Sequence, residues 1–178
     1  MARIVVGVDA SPGALRALTW AADEARLRLA ELEVVHAYHS HALAAPLYFP
    51  SRAGLPGKAV AGPRPSEEEL AGAAELHTEF QQAVRGQADQ LLEHLLGEVR
   101  ETVEGIDVHR TVVEDRNPAE ALVELSDEAD LLVVGARGRG GFSSLLLGSV
   151  SHAVVLHARC PVVVIPAAAG ERKPAVPR

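Results

Sequence analysis

The chain has 178 residues, enough for one α/β domain, and 48% of them are hydrophobic, so it can bury a sizeable core. Aromatic residues make up only 3%, so that core must be built from Val, Leu, Ile and Ala. Seventeen basic against 24 acidic residues leave a formal charge of −7, a field that repels nucleic acid and anionic lipid and argues against both as partners.

Ile4 to Val8 (IVVGV) is a short apolar run rich in β-branched residues, which predicts a strand covered on both faces. Ser11-Pro12 supplies an N-cap and a proline at the first helical position. Leu15, Leu18, Ala22, Ala25 and Leu29 recur at helical spacing and carry that helix to about Glu31. Leu32 to Ala37 reads as the second strand. From Tyr38 to Pro65 the rhythm stops among Pro46, Pro50, Gly54, Pro56, Gly57, Gly62, Pro63 and Pro65, which predicts a long loop. Ser66 to Glu69 fits a capping box. A long helix follows on Leu70, Ala74, His77, Val84, Ala88, Leu91, Leu95 and Val99, weakened at Gly72, Gly86 and Gly97, where a break is expected if there is one. Ile106 to Val113 predicts a third strand, partly alternating and so nearer an edge. Asn117-Pro118-Ala119-Glu120 is a second capping box, opening a helix to about Glu128. Leu131 to Val134 is a buried fourth strand, followed by a glycine-rich loop. Helix resumes near Ser149, and Pro161 precedes a fifth strand, Val162 to Ile165.

Five strands separated by helices predict one domain over residues 1–166. Its fold class is α/β, a single open doubly wound five-stranded parallel sheet of order 3-2-1-4-5 with helices on both faces. The charged, proline-containing tail 167–178 is expected to be disordered. The start at Met1 has no basic stretch followed by a long apolar run, and no eighteen-residue apolar run occurs. Neither a signal peptide nor a transmembrane helix is expected, and the location expected is cytoplasmic.

An open doubly wound sheet binds ligands beyond the carboxyl ends of its strands, where strand order reverses; here that is between strands one and four. Strand one ends in Gly7-Val8-Asp9, with Ser11 next. Strand four ends in Gly135 and continues through Arg137, Gly138 and Arg139 to Gly148-Ser149, a G-x2-G-x9-G-S spacing. Gly135 and Gly138 allow tight turning and close backbone approach. Gly148-Ser149 open a helix whose first amides, with the serine hydroxyl and the dipole, favour phosphate. The competing reading is a flexible turn that merely joins strand to helix. The loop is not a G-x4-G-K-[ST] phosphate loop, because the only lysines are Lys58 and Lys173. Nothing like G-x-G-x-x-G joins strand one to helix one.

The glycine motif from Gly135 to Ser149 resembles the nucleotide-binding signature of the universal stress protein family. The opening IVVGVDASPGALRALTWA is similar to that family's first strand, aspartate and helix. The stretches NPAEALVELSDEADLLVVGARGRGG and LLLGSVSHAVVLHARCPVVVI are similar to its carboxyl half, so the likeness covers roughly residues 1–37 and 66–166. The resemblance implies ATP binding and a homodimer through the last strand, and this chain keeps the motif of the ATP-binding branch. Carried over by position, it implies that Asp9 lies beside the nucleoside, with Gly7 on the pocket wall. Ala37 would present backbone to the adenine edge, and Val134 and Gly135 would face the ribose. Gly138 and Arg139 would meet the phosphates, with the amides of Gly148, Ser149 and Val150 around the outer ones and a hydroxyl added by Ser151. A Mg²⁺ held mainly by phosphate oxygens would fit this arrangement. Nothing is carried onto the 38–65 loop.

Other residues read more plainly. Asp9 has competing uses as a helix cap or one end of a turn, with Ser11 as the rival cap. His36, His39 and His41 lack a neighbouring carboxylate or cysteine and do not make a metal site by sequence. His152 is placed on the surface of the last helix. Cys160 is the only cysteine, which excludes an internal disulfide framework and a cysteine-based zinc site; it reads as a packing residue. The apolar last strand, at the end of the sheet, favours pairing with a second copy. The function expected is a nucleotide-dependent regulator of the stress response with little or no hydrolysis, because no water-orienting carboxylate or Gln sits in either motif at the phosphate end. The alternatives are a slow ATPase or ATP-dependent transferase on the same fold, and a ligand-free interaction protein.

Overall fold

The computed structural model describes residues 2–38, 66–114, 117–138 and 146–166. Residues 39–65 of the long loop, the Glu69 side chain of the first capping box, Arg139 and the tail 167–178 lie outside the described residues.

The strands are β1 (Arg3–Gly7), β2 (Glu31–Tyr38), β3 (Val108–Glu114), β4 (Leu131–Gly135) and β5 (Val162–Ile165). They form one five-stranded sheet in the order β3-β2-β1-β4-β5, with every pairing parallel. This is the expected fold class and order. Ile4 at the centre pairs with Leu32 on one side and Leu131 on the other. The helices are α1 (Pro12–Arg28), α2 (Glu67–Glu98), α3 (Arg100–Val103), α4 (Pro118–Leu125) and α5 (Ser149–His157), with a 3₁₀ turn at Ser126–Glu128 after α4.

Successive strand residues point to opposite faces, and both faces are covered. Ile4, Val6, Leu32, Val34, Leu131 and Val133 pack on the face that meets α1 and α2. Val5, Val35, Leu132 and Val134 pack on the other face with Leu122 of α4 and Val154 of α5. The side of α1 against the sheet is largely alanine: Ala17, Ala21, Ala22 and Ala25 are fully buried. Side chains this small let the helix lie close to the strands, which is how a core nearly free of aromatics fills its space.

The four predicted helix starts fall at Pro12, Glu67, Pro118 and Ser149, and two of them show a side-chain cap. Ser11 Oγ accepts from the Ala14 amide, and Asn117 accepts from the Ala119 amide. The ends differ from expectation. α1 stops at Arg28 because Leu29 turns left-handed at φ 53°, its amide reaching back to the carbonyls of Ala25 and Arg26. Leu29 fitted the helical spacing, yet it is 80% exposed. Left-handed backbone suits glycine at this position, so Leu29→Gly should raise stability by about 0.5–1 kcal/mol in urea unfolding. An unchanged or lower midpoint would contradict this.

α2 runs unbroken through Gly72, Gly86 and Gly97 for 32 residues and yields to α3 only at Val99. β3 begins at Val108, two residues later than expected, because Gly105 at φ 78° makes the turn that precedes it. Arg26 fastens this corner by donating to the carbonyls of Thr102 and Glu104. At the amino end of the sheet the buried carboxylate of Glu33 is fully engaged, accepting from Arg3 and, through its other oxygen, from the Thr111 hydroxyl. That pairing explains a charge inside an apolar sheet.

Candidate functional site

A cavity of about 1100 Å³ opens beyond the carboxyl ends of β1, β2 and β4. It occupies the switch point where β1 pairs with both β2 and β4. Nine of the ten candidate positions line it: Gly7, Asp9, Ala37, Val134, Gly135, Gly138, Gly148, Ser149 and Val150. The tenth, Arg139, lies outside the described residues. Arg137 and Ser151 line it as well.

Asp9 is both a turn residue and a wall of the cavity. Its Oδ1 accepts from the Ser11 amide at 3.1 Å and from the Ser11 hydroxyl, while Ser11 Oγ accepts from the Ala14 amide. Ser11 is therefore the cap of α1, and Asp9 orients the cap. The carboxylate's other oxygen stands against Gly138, where an added Cβ would come within 2.5 Å of it.

The two loop glycines serve different contacts, and neither has left-handed backbone. A Cβ at Gly135 would meet the backbone carbon and oxygen of Gly13 at 3.2 Å, so Gly135 admits α1 to the end of β4. Gly138 admits the Asp9 carboxylate. Sequence alone predicts tight turning and ligand approach for both; their close neighbours belong to the protein itself. Gly13 was missed. Its signal was a glycine just inside a helix, where no unusual φ is required and only close approach explains it.

The turn into α5 is held by its own hydrogen bonds. The Gly148 amide donates to the Ala136 carbonyl at 2.7 Å. The hydroxyl of buried Ser151 bonds the carbonyls of Ala136 and Gly148. The resemblance aims both groups at phosphate; in the structure both are engaged within the turn, which fixes the helix start against the end of β4. The amides of Ser149 and Val150 belong to the first turn of α5, which has no intrahelical acceptors for them, and both residues face the cavity.

The wall near β2 was largely illegible. His36 donates through Nδ1 to the Val8 carbonyl at 2.8 Å, an acceptor that fixes its tautomer when neutral. Tyr38 closes β2, and burial, followed by the nearby Glu114 carboxylate, pushes its hydroxyl above the ordinary range, so it stays a neutral phenol. Val84, Gln87, Ala88 and Leu91 of α2 complete this end, with Pro118 and Leu122 of α4. The periodicity of α2 marked an inward face but not that part of the face meets a cavity. Elsewhere, His152 is exposed on α5, and His39 and His41 lie outside the described residues. Cys160 packs partly buried beside the β5 side of the core, and burial pushes its thiol up. Among the described residues, no His, Cys, Asp and Glu group could hold a metal ion, and no helix is long and apolar enough to cross a membrane.

Fold and cavity together define a doubly wound α/β domain with a ligand crevice at its switch point and a helix amino terminus in the crevice wall. The sequence profile of the universal stress protein family matches residues 1–166, and the chain belongs to that family. It is similar to Universal stress protein Rv2005c of Mycobacterium tuberculosis, 37% identical over 163 residues that cover 92% of this chain and 45% of that protein. The chain thus spans about half the length of that relative. Among solved structures it is similar to the universal stress protein of Archaeoglobus fulgidus in complex with dAMP, at TM-score 0.53 and 26% identity, covering 93% of this chain and 98% of that one. A universal stress protein in complex with cAMP matches at TM-score 0.50 and 25% identity, covering 92% and 95%.

Proposed function

We propose that this chain is an ATP-binding regulator that holds the nucleotide in the switch-point cavity and hydrolyses it slowly or not at all. The observation that carries the reading is the convergence of the β1 end, the glycine motif and the start of α5 on one cavity. The related structures with dAMP and cAMP support a nucleotide there. In this reading Gly7, Ala37 and Val134 border the nucleoside, and Asp9 and Gly135 the ribose. Gly138, Arg139 and the amides of Ser149 and Val150 meet the phosphates, with Gly148 shaping the turn that presents them.

Asp9 is the one carboxylate among the described lining residues, and it is tied to Ser11. Mg²⁺ therefore fits best on phosphate oxygens and water, with few protein ligands. The lining glutamine, Gln87, stands on α2, which packs on β2 and β3, away from the start of α5. That leaves the phosphate end without a water-orienting side chain among the described residues, which supports slow turnover. The outer edge of β5 carries only Val and Ile, all part-buried, whereas β3 carries His109, Arg110 and Glu114. A second copy pairing along β5 would cover that edge.

Calorimetric titration with ATP and Mg²⁺, with released phosphate assayed on the same sample, tests this. Saturable binding without appreciable phosphate release is expected. Brisk turnover would favour a transferase or hydrolase, and no binding would leave an interaction protein with a structural loop.

A further inference from the structure

The far end of the cavity is walled by a helix that lies outside the glycine motif. Val84, Gln87, Ala88 and Leu91 stand at i, i+3, i+4 and i+7, so one face of α2 meets the cavity beside the end of β2. Three of the four are apolar. Gln87 interrupts them with an amide that makes no side-chain hydrogen bond among the described residues, on an exposed residue of the cavity rim. The groups that attract phosphate, Arg137 and the first amides of α5, belong to the β4 side. A nucleotide with its phosphates there runs past Asp9 and directs its base toward β2 and α2. Apolar side chains suit the faces of a base, and a lone amide suits its edge.

We propose that Gln87 reads the 6-position of a purine, making this a purine-nucleotide site that accepts both 6-amino and 6-oxo bases. The inference rests on the nucleotide reading above and extends it to base choice. The chemistry lies in the two ends of the amide. Its oxygen accepts from the amino group of adenine. Turned over, its nitrogen donates to the 6-oxygen of hypoxanthine in the same space. A carboxylate at this position only accepts, and an ammonium only donates, so either would remove the tolerance.

The test is calorimetric titration of the full chain with AMP, IMP and ribose 5-phosphate, in the wild type and in Gln87→Glu and Gln87→Lys. The wild type should bind AMP and IMP comparably. Gln87→Glu should favour AMP, and Gln87→Lys should favour IMP, each by about tenfold. Ribose 5-phosphate serves as the control for charge at the phosphate end, since any field effect moves it together with both nucleotides and cancels in their ratio. An AMP-to-IMP ratio that stays at the wild-type value in both variants overturns the assignment of Gln87 while leaving nucleotide binding intact. A wild type that binds ATP but neither AMP nor IMP overturns the base-edge assignment, and one that binds none of these ligands, ATP included, removes the nucleotide reading and this inference with it.

Discussion

Gly135→Val should lower the melting temperature by about 5–10 °C and abolish nucleotide binding. The argument is steric. The first atom added at this position meets the carbon and oxygen of Gly13 at 3.2 Å and the Arg137 carbonyl at 3.4 Å. All three neighbours are backbone, and no rotamer relieves a backbone contact. Valine adds two more methyl groups beyond that first atom. Either α1 lifts from the end of β4 or the loop after Gly135 moves outward. The first outcome opens the alanine-lined contact between α1 and the sheet, at about 2–3 kcal/mol. The second displaces Arg137 and Gly138 from the cavity wall. Calorimetric melting and ATP titration read the two separately. A variant that melts with the wild type would show that the Gly13–Gly135 approach is not tight in solution.

Gly138→Ala should behave differently, losing about tenfold or more in nucleotide affinity while stability changes by less than about 1 kcal/mol. Gly138 is exposed, and its new Cβ would press on one side chain, the Asp9 carboxylate at 2.5 Å. That carboxylate is held through its other oxygen by the Ser11 amide and hydroxyl, so yielding to the methyl group breaks the turn that sets the cap of α1. The cost should appear only while Asp9 is present. Asp9→Ala alone should weaken nucleotide binding and leave the fold intact. Adding Gly138→Ala in that background should cost little more, giving a coupling of about 1 kcal/mol in the double-mutant cycle. Equal effects of Gly138→Ala with and without Asp9 would place the clash elsewhere.

These two glycines are neighbours in one motif, yet the predicted consequences divide between fold and site. Sequence spacing cannot make that division, because it does not say which chain segment arrives against a glycine. The same holds at the start of α5. The Gly148 amide and the Ser151 hydroxyl are phosphate-binding groups by type and position, but both bond carbonyls of the turn itself. Donors one residue away, on Ser149 and Val150, are left at the cavity. Which donor is engaged depends on where the Ala136 carbonyl lies once β4 has paired with β5, and that is a non-local fact.

What the sequence by itself determined was local. β-branched runs marked all five strands, including Val162–Ile165 at its exact bounds. Ser11-Pro12 and Asn117-Pro118 marked two helix starts, because a cap and the residue it caps are adjacent in the chain. The glycine spacing and Asp9 identified the ends of β4 and β1, and parallel crossover rules then brought those ends together. Tertiary structure alone decided the remainder: the seating of Gly13 on Gly135, the pressing of Asp9 on Gly138, and the wall contributed by Val84 to Leu91 of α2. Helical periodicity identified the inward face of α2 from Val84 onward, since a buried stripe and a cavity-lining stripe obey the same spacing, whereas Leu70 and Ala74, on that spacing too, are exposed. Only the finite length of β2 and β3 separates them: where those strands end, the face that packs a core at Leu92 and Leu95 becomes the wall of a pocket at Val84 and Gln87.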